Sequence, residues 1–207
     1  MKIIETKAYL FEELSEEAKS KAIAWQVENN YNYDTWSEYL EDDCKEIGAL
    51  MGIEINNIYC SGFHSQGDGA CFEGSYSYKK GSVASVLSYA PLDLELHRIV
   101  RELQKVQKKN FYRIKASVKH YGHYYHRFCT DINVDINGIE TGSGFYTRGS
   151  IEDSAAADCL VICLLRDFML WIYKQYELVY EDATSEETAI GFFSDNECYF
   201  TNEGAPV

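Results

Sequence analysis

Side chains that can exchange protons lie close together in a polar stretch, residues 61–70, which holds three glycines, two serines and a glutamine. His64 and Asp68 in this stretch can form an acid–base pair. The stretch lacks the lysine of a phosphate loop and the glycine spacing of a dinucleotide-binding loop. Two interpretations remain open: a hairpin connection rich in turn-forming residues, or a ligand or partner loop that uses His64, Ser65, Gln66 and Asp68.

Three histidines, His120, His123 and His126, recur at every third position, and Cys129 follows them. Imidazole and thiolate groups are typical zinc ligands. Strand residues alternate between faces, so we expect His120 and His126 to share one face of a hairpin with a three-residue loop around Gly122. Two ligands on one face are fewer than a zinc site needs. We therefore expect aromatic and imidazole packing at this hairpin, or a recognition patch, and no metal.

The seven cysteines include no CxxC pair, and their odd number favours a reducing cytosol over a disulfide framework. Cys159 and Cys163, four residues apart, are expected to be buried as small hydrophobic side chains. A nucleophile pair of Cys60 or Cys71 with His64 has no visible activating group. We therefore expect no catalytic residue, no metal and no cofactor, and a protein that is not an enzyme.

The elements that position these residues follow from the apolar spacing of a 207-residue chain that is 46% hydrophobic. Alternation predicts strands, and Gly52 suits the left-handed end of a helix. The predicted strands are 2–11, 53–60, 71–78 and a short tail strand 198–200, with a hairpin over 111–136. The predicted helices are 16–29, 34–51, 82–89, 92–109, 151–181 and 185–193. We expect one α+β domain over 1–207, with antiparallel hairpins packed against several helices, a long central helix near 151–181 and a mobile glycine-rich segment, 138–149.

The formal net charge is −14, from 33 acidic and 19 basic residues. This charge opposes duplex DNA binding, which needs lysine and arginine on phosphates, and opposes binding to anionic membranes. No apolar run is long enough to span a bilayer, and the polar start does not resemble a signal peptide. We therefore expect a location in the host-cell cytoplasm, without membrane or direct duplex DNA contact.

The charge is uneven along the chain: residues 1–60 sum to −8, residues 79–127 to +8 and residues 128–207 to −12. An acidic face can simply be solvated, or it can compete with nucleic acid for a basic protein. Acidic and basic faces can also pair within the fold or between two copies, so a homodimer is possible. The candidate acidic face uses helices 34–51 and 177–187, with Glu38, Glu41, Asp42, Asp43, Glu46, Glu177, Glu181, Asp182, Glu186 and Glu187.

Several segments resemble a family of small phage and prophage proteins that are often labelled as an antitoxin of a toxin–antitoxin stability system. The resemblance is carried by Ile47–Ile55, by Tyr59–Gly74 with its Ser-Gly-Phe-His-Ser-Gln-Gly-Asp-Gly-Ala run, by Asn110–Arg113, by Ser117–His126, by Leu165–Met169 and by Trp171–Tyr173. It covers most of the chain, although the acidic tail and segment 138–149 fit less closely. The resemblance implies a mobile-element origin and a cytosolic setting.

Three functions are therefore considered, in order. The first is a phage-encoded inhibitor of a basic, nucleic-acid-handling host defence protein, of anti-CRISPR or anti-restriction type. This expectation rests on an analogy with other small acidic phage proteins, which often bind a host protein, including CRISPR or restriction machinery. The second is an antitoxin that neutralises one cognate toxin. The third is a small-ligand or metal-binding protein that uses loop 61–70 and the histidine hairpin.

Overall fold

The computed structural model describes residues 7–30, 37–136 and 148–207. The helices in these ranges are α1 (Glu16–Asn30), α2 (Ser37–Met51), α3 (Ser82–Tyr89), α4 (Leu94–Lys109), α5 (Arg148–Ala183) and α6 (Glu186–Asp195). The strands are β1 (Tyr9–Leu10), β2 (Ile53–Cys60), β3 (Ala70–Ser77), β4 (Lys115–His120), β5 (Thr130–Asp135) and β6 (Tyr199–Phe200). These elements confirm the predicted α+β class with antiparallel strands and one long helix. None of the helices in these ranges is long and apolar enough to cross a membrane.

The chain forms two compact units. The first unit contains Met1–Glu38 and Glu177–Val207, and the second contains Tyr39–Tyr176. Helix α5 contributes residues to both. Whether the two units fold as the single domain expected from the sequence stays a prediction.

The first unit is built on a short antiparallel ladder between β1 and β6, in which Tyr9 pairs with Phe200. Helices α1 and α6 supply most of the remaining core. The rings of Phe11 and Phe193 lie 5.1 Å apart, and those of Phe193 and Phe200 lie 4.9 Å apart. Ser185 caps α6 by accepting a hydrogen bond from the Thr188 amide at 3.1 Å.

The second unit contains a four-stranded antiparallel sheet in the order β2-β3-β4-β5. Along β4, exposed Lys115, Ser117 and Lys119 alternate with buried Ala116 and Val118. This alternation gives the sheet one polar face and one apolar face, as antiparallel sheets commonly have.

Helices α4 and α5 contact the apolar side of this sheet. The ring of Phe72 on β3 meets that of Phe168 on α5 at 6.0 Å. Asp93 connects the two helices, because one carboxylate oxygen accepts the Leu96 amide at the start of α4 and the other accepts the indole N–H of Trp171 at 2.7 Å. The sequence places Asp93 before a helix but does not reveal its bond to a residue 78 positions away.

The predicted three-residue loop around Gly122 is wrong. Strand β4 ends at His120, which pairs with Thr130, so the loop has nine residues, 121–129. Its ends are joined because the Tyr121 amide donates to the Cys129 carbonyl at 3.0 Å. The odd loop length keeps the apolar residues of the two strands on one face, where Ala116 pairs with Val134 and Val118 with Ile132. His126 lies in the loop and not on a strand.

The hairpin also begins later than predicted, because Phe111 and Tyr112 have positive φ angles of 54° and 60° and cannot continue a strand. The predicted opening strand 2–11 is described only from residue 7, and its strand part is Tyr9–Leu10. The glycine-rich segment 138–149 lies outside the described residues except for its last two positions, which belong to α5.

Candidate functional site

The acidic side chains of α2 are partly engaged by other side chains of the second unit. Glu41 forms an ion pair with Lys45 at 2.6 Å. The Tyr89 hydroxyl donates to Asp43 at 2.5 Å and also approaches Glu46 at 3.4 Å. The hydrogen bond to Asp43, followed by desolvation and the nearby carboxylates, raises the pKa of Tyr89 to about 12. Tyr89 therefore stays a donor at neutral pH.

The remaining α2 candidates differ in their surroundings. Asp42 is exposed, and no described residue forms an ion pair with it. The side chain of Glu38 lies outside the described part of the structure. Among the described side chains of this helix, only Glu41 therefore has a cationic partner, whereas Asp43 and Glu46 keep their negative charge while a neutral tyrosine hydroxyl engages their oxygens.

The second acidic set lies in the first unit, at the end of α5 and the start of α6. Glu181, Asp182, Glu186 and Glu187 are exposed, whereas Glu177 is half-buried. Glu186 and Glu187 occupy the first turn of α6, where carboxylates are favoured by the positive helix end. Within the described ranges no lysine or arginine forms an ion pair with any of the five. These charges therefore remain available to a partner.

The two units differ strongly in charge. By sequence, the first unit holds 16 acidic and 4 basic residues, a formal charge of −12, whereas the second holds 17 acidic and 15 basic residues. The described lysines Lys19 and Lys21 of the first unit already bind Glu16 and Glu17 on α1. Since the α2 candidates at residues 41–46 belong to the second unit and the other acidic set belongs to the first, a single continuous face stays a prediction.

Loop 61–70 is organised around Asp68. One oxygen of its carboxylate accepts hydrogen bonds from the backbone amides of His64, at 3.0 Å, and Ser65, at 2.6 Å. The loop ends are joined where the Ser61 amide donates to the Gly69 carbonyl at 3.0 Å. These contacts give Asp68 a backbone role of the kind that aspartate has in turns. His64, Ser65 and Gln66 are exposed, and their binding role stays a prediction.

The structure brings loop 61–70 and the histidine loop 121–129 together. A methyl group at Gly69 would lie 2.9 Å from the ring of His126, and one at Gly67 would lie 3.4 Å from Tyr124. A small pocket of 100 Å³ lies here, lined in part by Asp68, His126 and Arg127. Gly69 is therefore needed for close approach of the two loops, and Gly67 for its positive φ of 101°; the sequence did not reveal the approach.

The three histidines are used differently. His120 Nε2 lies 3.1 Å from the Tyr124 carbonyl, and its ring packs 4.9 Å from that of Tyr59. His126 Nδ1 accepts the Phe128 amide at 3.3 Å, whereas His123 is exposed. Among the described residues no group of three or more histidine, cysteine or acidic side chains is placed to hold a metal ion.

One candidate binding feature was missed by the sequence analysis. Phe128 is 53% exposed, and the guanidinium groups of Arg127 and Arg166 lie 5.0 Å and 5.2 Å from the centre of its ring. Exposed aromatic and arginine side chains are enriched at the centres of protein interfaces. Arg166 is 38 positions from Phe128, so no local pattern connects them.

The expected burial of Cys159 and Cys163 is wrong, because both are exposed on α5. The apolar residues that surround them in sequence cover only part of the helix circumference. Cys44 and Cys71 are buried instead, and burial raises the pKa of each thiol to about 12. Neither thiol is suited to nucleophilic catalysis at neutral pH.

Comparison with known families gives one match: the model of a family described as a domain of unknown function, DUF8835, matches residues 36–186. Because the match covers most of the chain, the chain belongs to this family. No curated protein and no solved structure gives a significant match. The matched range contains the whole second unit and the end of α5, and it leaves most of the first unit outside.

Proposed function

We propose that this member of the DUF8835 family binds a basic, nucleic-acid-handling protein of a host defence system, of CRISPR or restriction type, and inhibits it. The first unit supplies the polyanionic surface. The observation that carries this proposal is the charge of −12 in that unit. The setting is the cytoplasm of the host cell, as the resemblance to phage proteins implies.

The spacing of the exposed carboxylates supports this role. Glu181 and Asp182 close to the end of α5 and Glu186 and Glu187 at the start of α6 place four charges within seven residues. Duplex DNA carries about one charge per 1.7 Å of axis, and a helix rises about 1.5 Å per residue. Short helical segments with neighbouring carboxylates thus approach the charge density that a nucleic-acid-binding protein recognises.

The contribution of α2 is smaller in this proposal than its sequence suggests. Glu41 is compensated by Lys45, and Asp43 binds Tyr89. Asp42 remains exposed. We therefore assign the main partner contacts to residues 177–187 and a secondary contact to α2.

A phage-plating assay tests the proposal. The chain is expressed in strains that each carry one CRISPR or restriction system, and the plating of a phage restricted by that system is measured. We expect at least one system to be inhibited, with plating raised at least tenfold. The double variant Glu181→Gln/Asp182→Asn should lose much of this effect, since binding driven by charge falls when exposed carboxylates are removed.

The matched control is Glu54→Gln/Asp131→Asn, which removes the same two residue types from exposed strand positions of the second unit. This control variant should inhibit the defence system as strongly as the unchanged chain does. Circular dichroism melting checks that both doubles are folded. Unchanged plating in every strain, or equal loss in test and control doubles, contradicts the proposal.

A second candidate function is an antitoxin, which the exposed Phe128 with two guanidinium groups near its ring favours. This composition fits a mixed apolar and polar interface with a protein toxin. Co-expression with the neighbouring gene separates the two functions. Toxicity of that gene alone and rescue by this chain, lost on Phe128→Ala, support the antitoxin; a harmless neighbour counts against it.

A further inference from the structure

The turn that follows α4 combines exposed aromatic rings with uncompensated positive charge. Phe111 is 79% exposed and Tyr112 is 43% exposed. Lys108, Lys109 and Arg113 on either side are exposed, and no described acidic residue forms an ion pair with them. The Tyr112 ring packs 4.3 Å from that of Tyr78, which lies two residues before exposed Lys80 in the sequence. Lys80, Lys108, Lys109, Phe111, Tyr112 and Arg113 are called the basic corner below.

The backbone at the basic corner is strained. Phe111 and Tyr112 are consecutive bulky residues in the left-handed region, with φ of 54° and 60°. Such residues avoid this region, and strain of this kind clusters at binding and active sites. A strained phenylalanine whose ring is left in water contributes little to folding, so its presence points to an interaction outside the fold.

Gln107, which is fully buried, fixes the strained turn through hydrogen bonds. Its amide nitrogen donates to the Ile114 carbonyl at 2.8 Å, and its amide oxygen accepts the Ile114 amide at 3.2 Å. The Gln107 carbonyl accepts the Tyr112 amide at 2.7 Å. The two aromatic rings are therefore presented on a fixed support.

A groove adjoins the basic corner. It has a volume of 530 Å³ and is lined in part by Lys105, Lys108, Lys109, Val106 and Leu160. Glu102 also lines it and forms an ion pair with Lys105, so its unpaired positive charge comes from Lys108 and Lys109. This volume lies within the usual range for small-molecule sites. Positive side chains along a groove with exposed rings beside it are the features with which proteins bind single-stranded nucleic acid.

We propose that the basic corner binds single-stranded nucleic acid, with Lys80, Lys108, Lys109 and Arg113 on the phosphates and a base stacked on Phe111. The net charge of −14 does not prevent this, because fixed charges act mainly within a Debye length, about 8 Å at physiological salt. The proposal is independent of the acidic surface of the first unit and of the protein partner assigned to it.

Fluorescence anisotropy with a labelled single strand of twelve thymidines tests the proposal on the full chain. Four phosphate contacts predict a salt slope near −2.8 and about a 50-fold loss of affinity between 50 and 200 mM salt. Lys108→Gln/Lys109→Gln should weaken binding and reduce that loss to about sevenfold. Lys174→Gln, which removes an exposed lysine from α5, is the matched control and should leave binding unchanged.

Phe111→Gly separates binding from folding. Glycine tolerates the positive φ, so the melting temperature should stay the same or rise. Loss of one stacked base should weaken binding about tenfold. Leu92→Gly, which removes a 92% exposed aliphatic side chain, should leave binding unchanged.

Two results would overturn the assignment as a whole, and a third would overturn the role of Phe111 within it. One is the absence of oligonucleotide binding by the folded chain at 50 mM salt. The other is poly-glutamate binding as tight as the oligonucleotide and unaffected by Phe111→Gly, which would identify the basic corner as a surface for an acidic polypeptide. Tighter binding of a twelve-base-pair duplex than of the single strand would contradict the stacking role of Phe111.

Discussion

Substitution of Gln107 by alanine should destabilise the second unit by about 3 kcal/mol. The change removes both partners of the buried Ile114 backbone, the amide nitrogen that donates to its carbonyl at 2.8 Å and the amide oxygen that accepts its N–H at 3.2 Å, together with a bond to the Tyr76 hydroxyl. Each buried polar group left without a partner costs about 1–3 kcal/mol. Since domains are stable by about 5–15 kcal/mol in total, the loss is large.

Urea unfolding measures this effect, with tryptophan fluorescence as the signal. Trp171 is the only tryptophan of the second unit, so the variant is made in a Trp25→Phe/Trp36→Phe background. With a urea dependence of about 2 kcal/mol/M, the midpoint should fall by about 1.5 M. The control Gln104→Ala on the same helix, at a half-buried position, should change stability by less than about 0.5 kcal/mol.

A second variant, Gln107→Glu, gives a pH-dependent result. A carboxylate at this position would face the Ile114 carbonyl, so burial and this contact favour the protonated form and raise the pKa of the new side chain. The folded state then binds more protons than the unfolded state, and stability is lost as pH rises above the unfolded value of about 4.3. The loss of unfolding free energy should be larger at pH 8 than at pH 4.5.

A loss below about 1 kcal/mol for Gln107→Ala, or a loss that does not grow with pH for Gln107→Glu, would refute the support assigned to Gln107.

Further predictions concern the two adjoining loops and the thiols. Gly69→Ala should lower stability by about 1–3 kcal/mol in thermal unfolding, because the added methyl group would lie 2.9 Å from the His126 ring. Asp68→Ala should increase proteolytic cleavage within 61–70, since two backbone amides lose their acceptor; unchanged cleavage would contradict this role. Ellman's reagent at pH 8 should modify exposed Cys159 rapidly and Cys44 only after unfolding, because burial holds the pKa of Cys44 at about 12.

The sequence predicts elements well where local spacing decides them. The strand 53–60 and the helix 82–89 have the predicted bounds, because each is delimited by local signals such as Gly52 before the strand, although the pairing of the strand shifts register between Ile55 and Asn57. The predicted three-residue loop of the hairpin was wrong because local spacing does not decide where this loop begins and ends. Its aromatic and histidine residues continue a plausible alternation through 121–129, while the loop is closed by the bond between Tyr121 and Cys129.

The candidate sites depended more on contacts between distant residues. The carboxylates of α2 were placed correctly on a helix, but the bond between Asp43 and Tyr89 joins residues 46 positions apart. The same holds for Arg166 and Phe128. Residue types and helical spacing predict which side chains lie on an element, whereas the neighbouring element that neutralises or supports them is set by tertiary packing.

The division of charge between the units allows the two proposed surfaces to be tested separately. Binding at either surface should weaken as the salt concentration rises, so salt sensitivity alone does not distinguish the two surfaces. Of the two proposed surfaces, the basic corner is the one that uses an aromatic ring. Loss of the Phe111 ring should therefore weaken oligonucleotide binding and leave phage plating unchanged. Neutralising Glu181 and Asp182 should reduce plating and leave oligonucleotide binding unchanged. Loss of both activities in either variant would mean that one ligand contacts both units.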